Sequence, residues 1–123
     1  MEFNKLGNKR KITGWVLAGL LTALLLFSAL GKFTMPEMAD NFTKWGLGDW
    51  LTIIAIGELI SSFLFIFPKT NIFGVFLLSA HMGGAIVTHM SHGESFIIQS
   101  FILVLVWAAA FIRNPELLVK FKS

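Results

Sequence analysis

Four apolar runs, each long enough to cross a hydrocarbon layer as a helix, leave this chain little choice of fold. They fall at about residues 12–30, 51–67, 72–90 and 96–112. At about 1.5 Å per residue, runs of this length suit helices across a hydrocarbon core about 30 Å thick. A soluble domain has no use for so much apolar sequence: 55% of the 123 residues are hydrophobic and only 14% are charged. With a mean hydropathy of +0.75, so short a chain has too little interior to hide the excess from water. Lipid therefore solvates much of the surface. Trp15, Trp50 and Phe96 stand near run ends, where rings settle at a membrane interface.

The expected fold class is all-α: a four-transmembrane-helix up-down bundle, because short connections force neighbouring helices to pack antiparallel. Residues 12–112 form the membrane domain, flanked by cytoplasmic tails at 1–11 and 113–123. The orientation follows from the ten Lys and Arg residues. Lys5, Lys9, Arg10, Lys11, Lys69, Arg113, Lys120 and Lys122 lie on one side. Lys32 and Lys44 lie on the other, beside Glu37, Asp40, Asp49 and Glu94. The positive-inside rule puts both termini in the cytoplasm, as expected of a protein integral to the cytoplasmic (inner) membrane. A basic start before an apolar run also suits a secretory signal. This run is longer than the usual 7 to 15 residues, has no good small-x-small cleavage site and precedes three more spans, so it is expected to stay.

The only connection with structure of its own is the first. Pro36 and Glu37 suit a helix N-terminus, and Met38, Phe42 and Trp45 recur at i, i+4 and i+7, as a short amphipathic interfacial helix between the first and second spans requires. Gly46 and Gly48 would end it; the alternative is a loop with incidental apolar residues. The second and third connections, residues 68–71 and 91–95, are too short to house a soluble catalytic domain. Zero Cys removes disulfides, thiolate metal sites and thiol redox chemistry together. The basic residues flank spans instead of forming a stripe with interleaved aromatics, so the lipid bilayer is the expected partner and nucleic acid is not.

The informative residues are those that do not belong in hydrocarbon. Glu58 lies mid-span in the second run and His81 mid-span in the third, where an unpaired charge costs at least about 2.5 to 3.5 kcal/mol. Counted from the outer ends, both lie about 12 Å deep, so antiparallel neighbours bring them level. Around them the helix faces are small and polar, with Ser61 and Ser62 after Glu58, and Gly84, Ala85 and Thr88 after His81. Ser28 lies one turn before Lys32, and Gln99 lies about one turn inside the fourth run. Together Lys32, Glu58, His81, Thr88, His89 and Gln99 make a candidate polar site open to the outside.

Two readings of that site stand side by side: a Glu–His hydrogen bond that only holds helices in register, or a site for a small hydrophobic ligand with a quinone-like or lipid headgroup. Ion conduction and metal or haem binding rank below both. His81 and His89 are two turns apart, and His89 with His92 offers only an i, i+3 pair. No nucleophile with its base, no phosphate-binding glycine loop and no strong metal set is present, which disfavours an autonomous enzyme.

Several segments, in order, carry a family resemblance. They are Ser28-Ala29-Leu30-Gly31-Lys32-Phe33, Met35-Pro36-Glu37-Met38, Ile56-Gly57-Glu58-Leu59-Ile60, Pro68-Lys69-Thr70, Gly83-Gly84-Ala85 and Thr88-His89. Over about residues 12–112 the chain resembles the DoxX-like family of small four-helix integral membrane proteins. The family name derives from subunits of quinol oxidase and thiosulfate:quinone oxidoreductase systems. The resemblance implies the four-helix bundle and singles out Lys32, Glu58 and His89 as matching recurrent polar positions; His81 rests on depth and helix face alone. The lack of Cys separates the chain from relatives that exchange disulfides. The resulting expectation is an accessory membrane subunit binding a quinone-like or lipid ligand. The alternative is an assembly or chaperone-type interaction protein, with a membrane protein partner or a second copy of itself, in which the Glu–His pair is purely structural.

Overall fold

The computed structural model describes residues 7–117 and is helical, with no strand among them. Five α-helices follow one another: α1 Asn8–Thr34, α2 Pro36–Lys44, α3 Leu51–Ile66, α4 Asn71–Ser91 and α5 Ile97–Arg113. A 3-10 turn, Gly48–Trp50, leads into α3. Lys5, Lys120 and Lys122, three of the charges counted above, lie outside the described residues.

α1 is longer than its apolar run. Lys9, Arg10 and Lys11, assigned to the tail on sequence, form its first turns, because Lys and Arg are good helix formers. The helix ends where Pro36 forces Met35 out of helical geometry, to φ −103° and ψ 113°. Pro36 and Glu37 then open α2, where a proline lacks no needed donor and an acid meets the positive helix end. Gly46, at φ +78°, turns the chain back after α2, a conformation open to a residue without Cβ.

α1 packs on α3 and α5, and α4 packs on α3 and α5, so the four long helices close a ring in the order α1, α3, α4, α5. Among the described residues, three segments are long and apolar enough to cross a membrane: Asn8–Thr34, Gly48–Ile66 and Asn71–Ser91. α5 is apolar but shorter, at 17 residues, or roughly 25 Å at the helical rise. The outer surface of the ring is apolar too. Leu20, Ile53, Phe63, Phe73, Ile97 and Val104 are all more than half exposed, a continuous apolar exposure that water would not tolerate and lipid does.

The packed core fills only one half of the ring. Ala18, Leu21 and Leu25 of α1, Phe65 of α3, Val75, Leu78 and Met82 of α4, and Val106, Ala109 and Ala110 of α5 form one buried cluster. The cluster is centred toward the end where α1 begins and α5 stops, and its inner members Leu25 and Met82 also line the space beyond it. Small residues set how closely these helices approach. The tightest case is Gly74, where a Cβ would collide with the backbone of Phe65; backbone cannot swing aside as a side chain can. At the same end a Cβ on Gly14 would come within 2.8 Å of Arg113 Cγ.

Gly74→Ala should therefore destabilise the fold by about 1–3 kcal/mol, the usual cost of overpacking. Gly19→Ala, with nothing near the added Cβ, should be neutral or mildly stabilising. Thermal denaturation of the two variants in detergent, followed by light scattering and circular dichroism, checks the pair.

Candidate functional site

The half of the ring without a packed core holds a cavity of about 560 Å³. Its walls are apolar, with Leu24, Ile54, Ile98 and Ile102 among them, and α2 lies across it with Met38, Phe42 and Trp45 turned inward. The i, i+4, i+7 face of α2 thus covers the cavity. Phe42 is the buried member of that face, and its ring centroid lies 5.9 Å from Lys32 Nζ.

All six side chains singled out in the sequence line this cavity: Lys32, Glu58, His81, Thr88, His89 and Gln99. Five of them fall into two bonded groups. The first is at the floor. Lys32 Nζ donates to Glu58 Oε1 at 2.6 Å, to Ser28 Oγ at 2.9 Å and to the Ser28 carbonyl at 3.4 Å. Those three bonds use all three ammonium hydrogens. The other carboxylate oxygen, Glu58 Oε2, faces His81 Nε2 at 3.3 Å, with an alignment short of a full hydrogen bond. Glu58 is 0% exposed and Lys32 8%. Three helices are joined by these contacts: α1 through Lys32, α3 through Glu58 and α4 through His81.

Local sequence explains why these groups converge. Lys32 sits in the last turn of α1, which ends only because Pro36 follows, and its basic charge suits the negative end of the helix. On α3, Ser61 and Ser62 return their hydroxyls to the Gly57 and Glu58 carbonyls at 2.6 and 2.7 Å. Glu58 can therefore take its partners from the neighbouring helices without a competing donor from those serines.

The second group is nearer α2. His89 Nδ1 lies 3.0 Å from Glu94 Oε1, and Gln99 Nε2 lies 3.2 Å from His89 Nε2. Trp45 Nε1 donates to Glu94 at 3.1 Å, and the Trp45 ring stands edge-on to His89 with centroids 4.9 Å apart. Lys44 reaches the same carboxylate at 3.7 Å. The residue after α2 is thereby tied to the α4–α5 connection over the cavity. His89 and Gln99 do not join the Glu58 group as a single cluster. Thr88 lines the wall, with its hydroxyl donated to the Gly84 carbonyl of its own helix at 2.8 Å.

Sequence reasoning missed the polar groups at the opposite end. Arg113, counted there as a tail charge, is 0% exposed. Its guanidinium donates to the Phe65 and Ile66 carbonyls at 2.8 and 2.7 Å, closing the open carbonyls at the end of α3. Arg10 does the same for α5, through Ile112 and Phe111 at 2.7 Å each. Asn71 and Asn114 pair their amides at 2.6 and 3.2 Å. The available signal was an Arg-Asn-Pro segment ending one apolar run, level with an Asn that starts its antiparallel neighbour.

Residues 16–112 match the model of the DoxX-like family. Neither a curated protein nor a solved structure matches the chain. With its apolar helices, the match makes this a small integral membrane protein whose outer surface meets the lipid bilayer.

Lys32→Met and Glu58→Gln each leave the other partner's charge or its hydrogen bonds without their match in a buried site. Each should destabilise by about 3–5 kcal/mol. The double variant Lys32→Met/Glu58→Gln should lose less than the sum, because neither residual charge is stranded. A thermal-shift double-mutant cycle in one detergent measures the difference.

Proposed function

We propose, for a chain that belongs to the DoxX-like family, an accessory membrane subunit whose cavity binds a hydrophobic ligand with a polar head, quinone-like or lipid. It spans the cytoplasmic (inner) membrane as a four-helix up-down bundle, α5 being the fourth span, with residues 12–112 in the membrane domain and both termini in the cytoplasm. Lys9, Arg10, Lys11 and Lys69 at one end, against Glu37, Asp40, Asp49 and Glu94 at the other, support that orientation. The single observation carrying the reading is the cavity of about 560 Å³ with apolar walls and an ionisable floor. Its volume lies within the range of roughly 300–1,000 Å³ for small-molecule sites. In this reading the walls take the apolar part of the ligand. His81, His89, Gln99 and Thr88 meet its polar head, while Lys32 and Glu58 hold the floor that presents His81.

A second reading has its own support. Lys32 commits every ammonium hydrogen to Ser28 and Glu58, as a purely structural polar group would. The protein then acts in assembly or stabilisation of a membrane partner, or of a second copy of itself, with no small ligand.

The two readings separate on ligand retention. Mass spectrometry of protein purified in mild detergent should find a quinone or a lipid species retained near one per chain. Ala85→Phe, which fills the cavity from α4 without touching the ion pair, should reduce that retention at least tenfold. If wild-type protein retains neither class and shows no saturable binding of added quinone or lipid, the ligand reading is wrong. A stoichiometric membrane partner in pull-downs would then favour the second.

A further inference from the structure

A donor-and-acceptor account of the cavity says which polar head it takes. At the floor every donor is committed. The three ammonium hydrogens of Lys32 go to Ser28 and Glu58, and the Ser28 hydroxyl turns to Glu58 Oε1 at 3.4 Å. His81 Nε2, 3.3 Å from a carboxylate oxygen, must carry its ring proton there, because two lone pairs at that distance repel. In the neutral ring Nδ1 is then a bare acceptor, and no protein partner for it is found among the described residues. Glu58 Oε2 has no well-aligned donor either. What the floor leaves unmatched is acceptor capacity alone.

Nearer α2 the same logic fixes a third acceptor. His89 Nδ1 lies 3.0 Å from Glu94 Oε1 and so carries the proton, which makes Nε2 an acceptor. Gln99 must then turn its NH2 group toward that nitrogen. Its carbonyl oxygen, buried and without a partner, is left over. The Thr88 hydroxyl and the Trp45 N–H are both committed, to Gly84 and Glu94. The remaining free donors, the second N–H of Gln99 and the amide of Asn41, lie away from the floor.

Resting on the ligand-binding reading above, we propose that the cavity selects an apolar molecule whose head is a hydrogen-bond donor, with a hydroxyl set against His81 Nδ1. Phenols, hydroquinones and long-chain alcohols fit best; quinones, esters and ethers, which bring only acceptors, leave the floor unmatched and bind more weakly. The physical basis is asymmetric: a missing partner costs a buried polar group its full desolvation, more than a typical hydrogen bond contributes. An anionic head is disfavoured for the same reason, since it would face a carboxylate whose only cation is already spent.

The test uses the full chain in nanodiscs at mildly alkaline pH. The probes are para-octylphenol and its methyl ether, para-octylanisole, with uptake by empty nanodiscs subtracted. They share ring and tail and differ in one donor. The phenol is expected to bind about tenfold tighter than the ether, one hydrogen bond's worth, and His81→Phe should bring the ratio close to one. Equal affinities, or tighter binding of the ether, would overturn the donor rule while leaving the ligand cavity intact. A ratio that survives His81→Phe would overturn the assignment to His81. If neither probe binds saturably, the ligand-binding reading itself falls. Should His81→Phe fail to fold, the wild-type ratio still decides the donor rule.

Discussion

The Lys32–Glu58 ion pair is the contact on which the cavity end of the molecule depends. In lipid, apolar helix faces lose little by parting, because acyl chains are as good a solvent as leucine. Charged groups are different. Alone at this depth each would cost kilocalories, and a 2.6 Å contact between two nearly unexposed side chains makes separation of α1 from α3 the costly state. His81 extends the same linkage to α4. Other polar contacts complete the ring: Gln99 with His89 and Trp107 with Ser79 join α5 to α4, and Arg10 joins α1 to α5.

The two ends of the ring are built differently. Where α1 starts and α5 stops, the helices close over a packed apolar cluster. Gly74 and Gly14 permit the approach, and Arg113 and Arg10 satisfy carbonyls that the helix ends leave open. Arg113 is also held between rings, its guanidinium 5.5 Å from the Trp15 centroid and 5.6 Å from that of Phe65. At the other end the core gives way to a cavity. There Lys32, Glu58 and His81 occupy the floor, and the Trp45–Glu94–His89 contacts hold α2 across the top. One half is thus packed and the other hollow.

Much of the fold was legible because the membrane imposes it. Run length alone located the long helices, and the i, i+4, i+7 pattern of Met38, Phe42 and Trp45 located α2 and its buried face. Equal depth placed Glu58 against His81 before any coordinates. What sequence could not supply was how donors are shared. Lys32 was legible as a polar group near Glu58, but not as one with all its hydrogens spent. His89 and Gln99 were read into the Glu58 cluster, yet His89 bonds to Glu94 and Gln99 bonds to His89, because connection geometry, not helix depth, brings those groups together. Arg113 was read as a charge facing the cytoplasm; the partners that bury it are backbone carbonyls, which every sequence has and none displays.

Membership of the DoxX-like family and the lipid-facing surface fix what kind of molecule this is, and the Lys32–Glu58 ion pair shapes its cavity floor. Solid-state NMR on protein in lipid bilayers, with nitrogen-labelled lysine and carbon-labelled glutamate, measures the Lys32 Nζ to Glu58 Cδ dipolar coupling directly. The account predicts a strong coupling, consistent with a 2.6 Å nitrogen–oxygen contact, that disappears in Glu58→Gln protein labelled in the same way. Absence of that coupling in well-folded wild-type protein would mean that Lys32 turns away from Glu58, and the floor described here would not exist.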